Sequence, residues 1–553
     1  MGKSDRTKRE RKSIKEKKMK QEIEKLKEMS PFEIKDLFIK IAKEASIKRI
    51  EEGERVKVHN AGRGNPNFLN TIVREAFSYL SLFAVKIAEE HSVGFSLGLR
   101  PVKKGIAKKL KKYLSEEKGE GITFLKKALD YIEKNFSFDT DEYIFEVVDG
   151  ALGDFYPMPP RIFPFVEKIV NAYLFKILGL KEGVNKRKFN LFATEGATAS
   201  MIYLFHSLKT NRILKEGDKI AIFTPIFSPY LEIPILKEFG LEEVYIQASE
   251  EMDWQISDKE IEKLKDPQIK GAFLVNPTNP TSVAINDHSL YKISKLIKEE
   301  RKDLIILTDT VYSTFVEEFH SLISAVPENT ICVYSYSKYF GVTGWRLGVI
   351  MMDGENVVDR LIEQLPEKEK QELDKRYSMV SPEPRKLKFI ERLETDSRDE
   401  ALAHTGGLSC PQQILMSLFS LFELLDTEKI YKQAIQKILQ KRINLLFDHL
   451  EMKAPKDKGH TYYYSLLDLV AISKEKYGEK FSRHLKEKIE PLEFLFRLAK
   501  DKLTICLPGE GFSGPKWSIR VSLANLNDED YIDIGKDIKE VLEEFYDEWK
   551  KDR

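Results

Sequence analysis

The chain has 553 residues, 42% hydrophobic and 32% charged, enough for more than one core, so two domains are the expectation. Its formal net charge of +1 excludes a general attraction to nucleic acid or to an anionic membrane. Cys332, Cys410 and Cys506 are isolated, which excludes a disulfide framework and a cysteine metal site. No apolar run reaches the length of a membrane span or forms a signal-peptide core, so the expectation is a cytoplasmic protein.

Residues 1–30 hold twelve Lys/Arg against six Asp/Glu, a local net of +6, which leaves −5 for the rest of the chain. The interspersed glutamates read as a solvated, partly helical arm and not as a nucleic-acid tail. From Pro31, Phe32, Ile34, Leu37, Phe38, Ile41 and Ala42 recur near helical spacing and open an amphipathic helix.

The middle of the chain alternates strand-like runs with charged helical stretches such as Asp287–Arg301. The runs are Asn190–Thr194, Lys219–Thr224, Lys270–Val275, Asp303–Thr308, Thr330–Tyr334 and Arg346–Met352. Such alternation predicts a mainly parallel sheet covered on both faces, with ligands beyond the carboxyl ends of the strands. Polar motifs fall at those ends in order: Glu195-Gly196-Ala197-Thr198, Pro225-Ile226-Phe227, Asn276–Pro280, Asp309 and Ser335–Lys338. Farther on, His460–Leu469 and Lys516–Asn525 are strand-like.

The densest motif is Tyr334-Ser335-Tyr336-Ser337-Lys338-Tyr339-Phe340-Gly341, followed by Arg346. A lysine on a constrained turn can condense with an aldehyde, and hydroxyls with a planar guanidinium can hold a phosphate. Gly196-Ala197-Thr198 opens a helix, where backbone amides and a hydroxyl add to a phosphate site.

This segment resembles the cofactor-lysine segment of the fold-type I pyridoxal phosphate enzymes, the aspartate aminotransferase superfamily. The resemblance implies an α/β fold: a large domain with a mainly parallel seven-stranded sheet between helices, plus a smaller α/β domain. The implied division is an arm and helix at 1–50, a small domain from 51–165 with 415–553, and a cofactor domain at 166–414. Pyridoxal 5'-phosphate is the implied cofactor, joined to Lys338 and held by Gly196, Ala197, Thr198, Ser335, Ser337 and Arg346. Phe227 would lie against its ring, Asp309 would pair with its ring nitrogen, and Asn279 and Tyr312 would bond its phenolic oxygen. In Asn276-Pro277-Thr278-Asn279-Pro280-Thr281, Ser282 stands where the family usually has glycine, a departure that bears on the loop backbone and not on Asn279. Asp309-Thr310-Val311-Tyr312 matches the family's Asp-x-x-Tyr. In Trp517-Ser518-Ile519-Arg520-Val521-Ser522, Arg520 would grip the substrate α-carboxylate. Asp154-Phe155-Tyr156-Pro157 resembles the segment whose tyrosine reaches the cofactor phosphate of a partner subunit, so Tyr156 implies a homodimer with shared sites.

Asn60–Asn70 and His404–Gln413 narrow the resemblance to the aspartate 4-decarboxylases, described as bifunctional with aspartate aminotransferase activity. Extra blocks around 90–150 and 355–402 fit that branch. The implied reaction takes L-aspartate to L-alanine and carbon dioxide, with a 2-oxo acid as partner of the side transamination. Arg63 beside Gly64 is the candidate for the β-carboxylate neighbourhood. A plain aminotransferase is supported equally by the cofactor motifs, and a cofactor-sensing regulator that binds DNA through its arm is the reading from another class.

Overall fold

The computed structural model describes residues 24, 26, 29, 31–90, 97–180, 184–401, 407–551 and 553. Most of the basic arm and His404 therefore lie outside the described residues.

Among the described residues thirteen strands follow in chain order: β1 (His59–Asn60), β2 (Phe189–Thr194), β3 (Lys219–Thr224), β4 (Glu242–Ser249), β5 (Gln255–Ile256), β6 (Ile269–Val275), β7 (Ile305–Asp309), β8 (Thr330–Ser335), β9 (Gly348–Asp353), β10 (Tyr464–Asp468), β11 (Thr504–Ile505), β12 (Leu507–Pro508) and β13 (Ser518–Ser522). The large sheet runs β2-β9-β8-β7-β6-β3-β4-β5. Only β9 and the two-residue β5 run against the others. Six strands are runs read in the sequence, β4 brings the number to the seven that the resemblance implies, and β5 adds an eighth at the edge. Two residues are too few to carry a strand pattern, so nothing in the sequence marks it.

β7 and β8 are buried at every position, as continuously apolar strands covered by helices on both faces should be. Register then sets the site. Thr194 pairs with Gly348, which pairs with Ser335, and Val275 pairs with Asp309, which pairs with Val333. The ends of β2, β6, β7 and β8 thus share one edge of the sheet with the start of β9.

Helix caps fix where the chain turns at that edge. Asn70 caps Thr71–Glu89 by accepting from Val73 N at 3.0 Å, and Asn286 caps Asp287–Glu299 by accepting from Ser289 N at 2.9 Å. Helix Thr71–Glu89 packs on Glu120–Asn135 and on Thr140–Leu152, and all three pack on Cys410–Leu425. A second sheet, β10-β13-β12, is antiparallel, and β1 pairs in parallel with β11. The second sheet pairs Leu466 and Leu507 with Arg520, and so carries Arg520 into the molecule. Among the described residues no helix is long and apolar enough to cross a membrane, and no cluster of His, Cys, Asp and Glu could hold a metal ion.

Candidate active site

A cavity of about 340 Å³ opens beyond the shared strand edge. Lys338 lines it from the turn after β8. That turn is braced from outside, because Arg74 donates to Gly341 O at 2.6 Å and sits over the Trp345 ring. Lys338 Nζ donates to Gly64 O at 2.8 Å, and Tyr463 OH donates to the same carbonyl at 2.8 Å. Burial holds the Lys338 amine below its ordinary pKa, with Arg520 and Arg346 adding to the effect while Tyr464 and Asp309 oppose it. A buried amine so placed spends more time unprotonated, as a nucleophile or base requires.

Asp309 ends β7 on the cavity floor. Its Oδ2 accepts from Tyr230 OH at 2.8 Å and its Oδ1 from Val311 N at 3.0 Å. Burial pushes its carboxyl up to about 6, while those bonds and the Lys338 charge pull down. Tyr230 also bonds the Thr198 side chain, so one phenol links the floor to the first turn of the helix Ala197–Thr210.

That turn faces Arg346 and the serines. Gly196 has φ 99°, and a Cβ there would meet Arg346 Nη2 at 2.6 Å. Glycine therefore lets the guanidinium come against the helix start. A Cβ on Gly348 would come within 2.5 Å of Gly196 Cα, so the two backbones touch. Ser335 Oγ lies 2.9 Å from Ser337 Oγ. Amides, hydroxyls and a guanidinium thus converge in one corner.

Arg520 enters from β13. Its Nη1 donates to Asn279 Oδ1 at 3.1 Å and its Nη2 to Gly62 O at 2.9 Å. Its guanidinium is stacked between the rings of Tyr464, at 4.4 Å, and Phe512, at 4.7 Å. Among the described residues Nε finds no acceptor and Arg520 has no ion-pair partner; Arg346, likewise without one, is exposed and donates to Thr343 O at 2.8 Å. A buried cation without a counter-anion is costly unless a ligand supplies one.

Ala197, Thr198, Phe227, Asn279, Asp309, Tyr312, Ser335, Ser337, Lys338, Arg346, Arg520, Arg63 and Gly64 all line the cavity, and Gly196 backs it. Tyr156 does not line it; the residue lies 65% exposed on the loop after Thr140–Leu152. Ser282 keeps a glycine-like backbone, φ 63°, so the loop conformation survives the substitution. Lys35, Asn65, Tyr230, Thr343 and Tyr464 also line the cavity and were not anticipated. Tyr230 lies three residues beyond Phe227, the only hint of it in the chain. Asn65 and Thr343 fall inside segments singled out in the sequence without a role, and Lys35 and Tyr464 carry no local signal.

The model of the class I and II aminotransferases matches residues 160–367. Two arginines without ion-pair partners among the described residues, a glycine-floored anion corner and a half-buried lysine facing a buried carboxyl fit the phosphate, aldehyde and ring nitrogen of pyridoxal 5'-phosphate, the cofactor of that class. The site and fold are those of a fold-type I pyridoxal phosphate enzyme. Solved structures agree on the fold: a double mutant of Thermus thermophilus aspartate aminotransferase superposes with a TM-score of 0.57 at 16% identity, over 91% of this chain and 96% of that one. The aromatic-amino-acid aminotransferase 2 of Thermococcus litoralis is 31% identical over 41% of this chain and 56% of its own length. A bifunctional aspartate aminotransferase and L-aspartate β-decarboxylase of Pseudomonas sp is 43% identical over 96% of this chain and 99% of its own. The chain belongs to the family of that bifunctional enzyme.

Proposed function

We propose that the protein removes the β-carboxylate of L-aspartate as carbon dioxide to give L-alanine, and transaminates aspartate as a side activity. The observation that carries this reading is the 43% identity sustained over 96% of the chain, where the aromatic aminotransferase matches 41%.

When bound, pyridoxal phosphate supplies an aldehyde that takes up amines and an electron sink for bonds broken at the α-carbon and, one carbon farther, at the β-carbon. The residues do the rest. Gly196, Ala197, Thr198, Ser335, Ser337 and Arg346 would hold the phosphate, and Phe227 would lie against the ring. Asp309 would keep a proton on the ring nitrogen, while Asn279 and Tyr312 would donate to the phenolic oxygen. With its oxygen engaged by Arg520, Asn279 has its NH2 left for that task. Arg520 grips the α-carboxylate and so presents the Cα–H bond to Lys338, which takes the proton and later returns it. Arg63 and Gly64 sit beside the β-carboxylate. A grip there weaker than a bidentate clamp leaves the carboxylate free to depart. Arg63 is exposed at the cavity mouth, which supports a loose contact.

Residues 166–414 would form the cofactor domain, and 51–165 with 415–553 the domain that completes the site. Gly62–Asn65, Tyr464 and Arg520 reach the cavity from outside 166–414, which supports that division. The working unit would be a cytoplasmic homodimer with Tyr156 facing the partner's phosphate, supported by the exposure of Tyr156 and Met158.

The test is purified holoenzyme given L-aspartate alone. Continuous carbon dioxide and alanine without any added 2-oxo acid is the expected result. A single stoichiometric release of oxaloacetate that stops would identify a plain aminotransferase.

A further inference from the structure

Tyr464, the first residue of β10, has no task in the reaction as described so far, yet it is buried in the cavity wall between the residues that do. Its hydroxyl lies 3.1 Å from Tyr312 OH. The same hydroxyl lies 2.4 Å from where a Cβ on Gly64 would stand, and Lys338 Nζ lies 3.3 Å from that point, so both flank Gly64. The ring carries one face of the Arg520 guanidinium.

Two phenols bring two protons, and their one mutual contact uses one of them. The second is left over. Gly64 O, the carbonyl of the residue that Tyr464 OH flanks, is already occupied by Lys338 and Tyr463. If Tyr464 donates to Tyr312, the leftover proton is on Tyr312 and points into the cavity. If the order is reversed, Tyr312 spends its proton on its neighbour. An acceptor in the cavity beside Tyr312 selects the first order, and a hydroxyl that accepts one bond donates the next more strongly.

The position of Tyr464 is itself held. Its backbone N–H donates to Ser282 Oγ at 2.8 Å, and Ser282 O accepts from Thr461 N at 2.8 Å. Ser282 makes both contacts from the left-handed region, where a side chain is disfavoured. A glycine there would keep the backbone and lose the hydroxyl that pins β10.

We infer that Tyr464 is a positioning residue: its hydroxyl donates to Tyr312 and thereby aims the Tyr312 proton into the cavity beside Lys338, with Ser282 fixing the strand that carries it. The inference rests on Tyr312 donating to the cofactor's phenolic oxygen, as proposed above. That donated proton competes with the proton on the Lys338 nitrogen for one oxygen. Losing it leaves the nitrogen's proton more tightly held, so the pH midpoint of the holoenzyme's visible absorbance should rise.

The experiment is a pH titration of visible absorbance on purified holoenzyme, for the wild type, Tyr464→Phe, Tyr312→Phe and the double variant. Tyr464→Phe keeps the ring under Arg520 and removes only the hydroxyl. Its expected effect is a rise in midpoint equivalent to about twofold in the proton-binding constant, the share of one hydrogen bond that a cooperating neighbour supplies, since Tyr312 keeps its own proton. Tyr312→Phe should raise the midpoint at least as far, and the double variant no farther than Tyr312→Phe alone. A Tyr464→Phe midpoint that stays put while Tyr312→Phe moves overturns the inference, as does an additive double variant. If Tyr312→Phe itself does not move, the Tyr312 assignment fails and this inference with it. Should Tyr464→Phe not fold, Ser282→Ala carries the test: a smaller rise supports the inference, and an unchanged midpoint overturns it.

Discussion

Arg520 and Asn279 meet across 241 residues of sequence in a 3.1 Å hydrogen bond that ties β13 to the loop after β6. The bond joins the residue proposed for the substrate to one proposed for the cofactor, and it aims both. In Arg520→Lys the charge stays but the planar two-point fit is lost. The expected rise in KM for aspartate is about 10- to 100-fold, the value of one charged hydrogen bond. The visible spectrum should barely change. Saturation kinetics with parallel spectra check this, and an intact saturation curve would move the α-carboxylate site elsewhere.

Lys338→Ala removes the one lysine amine of the motif that lines the cavity. Borohydride should no longer fix cofactor to the protein, and turnover should fall by about 10⁴-fold, the upper range of a positioned acid–base group. Mass spectrometry after borohydride treatment decides it, since an adduct surviving in the variant would put the attachment point on another lysine.

Asp309→Asn keeps the shape of the carboxyl and its contact with Tyr230 while removing the negative charge. Cofactor should stay bound through the Gly196–Thr198 turn and Arg346. Turnover should drop by about a hundredfold or more, near 3 kcal/mol at 1.36 kcal/mol per tenfold. Near-normal turnover with bound cofactor would remove Asp309 from the electron-sink role.

His460 gives a pH prediction. It is buried, and its Nδ1 accepts from Tyr462 N at 2.9 Å, so the neutral ring is the form that fits. Burial lowers its pKa to about 4, against the pull of Asp457. A depressed histidine binds its proton more readily when unfolded, so its share of stability is present above the ordinary value near 6.5 and is lost as pH falls toward 4. Urea unfolding of wild type and His460→Gln should show the wild type's advantage shrinking by about 2 kcal/mol between pH 7 and pH 5. An advantage independent of pH would mean that the ring titrates freely.

Much of this was legible in the chain because the chemistry sits where strands end. Lys219–Thr224 is a strand over the residues read as one, and Asp309 and Ser335 fall at the register positions that bring their motifs together. β4 was not read because Glu242, Glu243 and Gln247 break its apolar pattern on a strand exposed near the sheet edge. Tyr230 and Tyr464 were missed for a different reason. Each acts through a partner distant in sequence, Asp309 and Tyr312, and only the packing of β10 and of the helix Pro229–Ile235 brings the pairs together.

The touching backbones of Gly196 and Gly348 limit how this protein can change. A methyl group at either position would displace the strand start, the helix start or the arginine, all of which meet the same anion corner. That corner is a part of the molecule where drift has no intermediate steps to take. New substrate preferences would have to arise across the cavity, among Lys35, Arg63 and Asn65, where side chains can be exchanged without moving the floor.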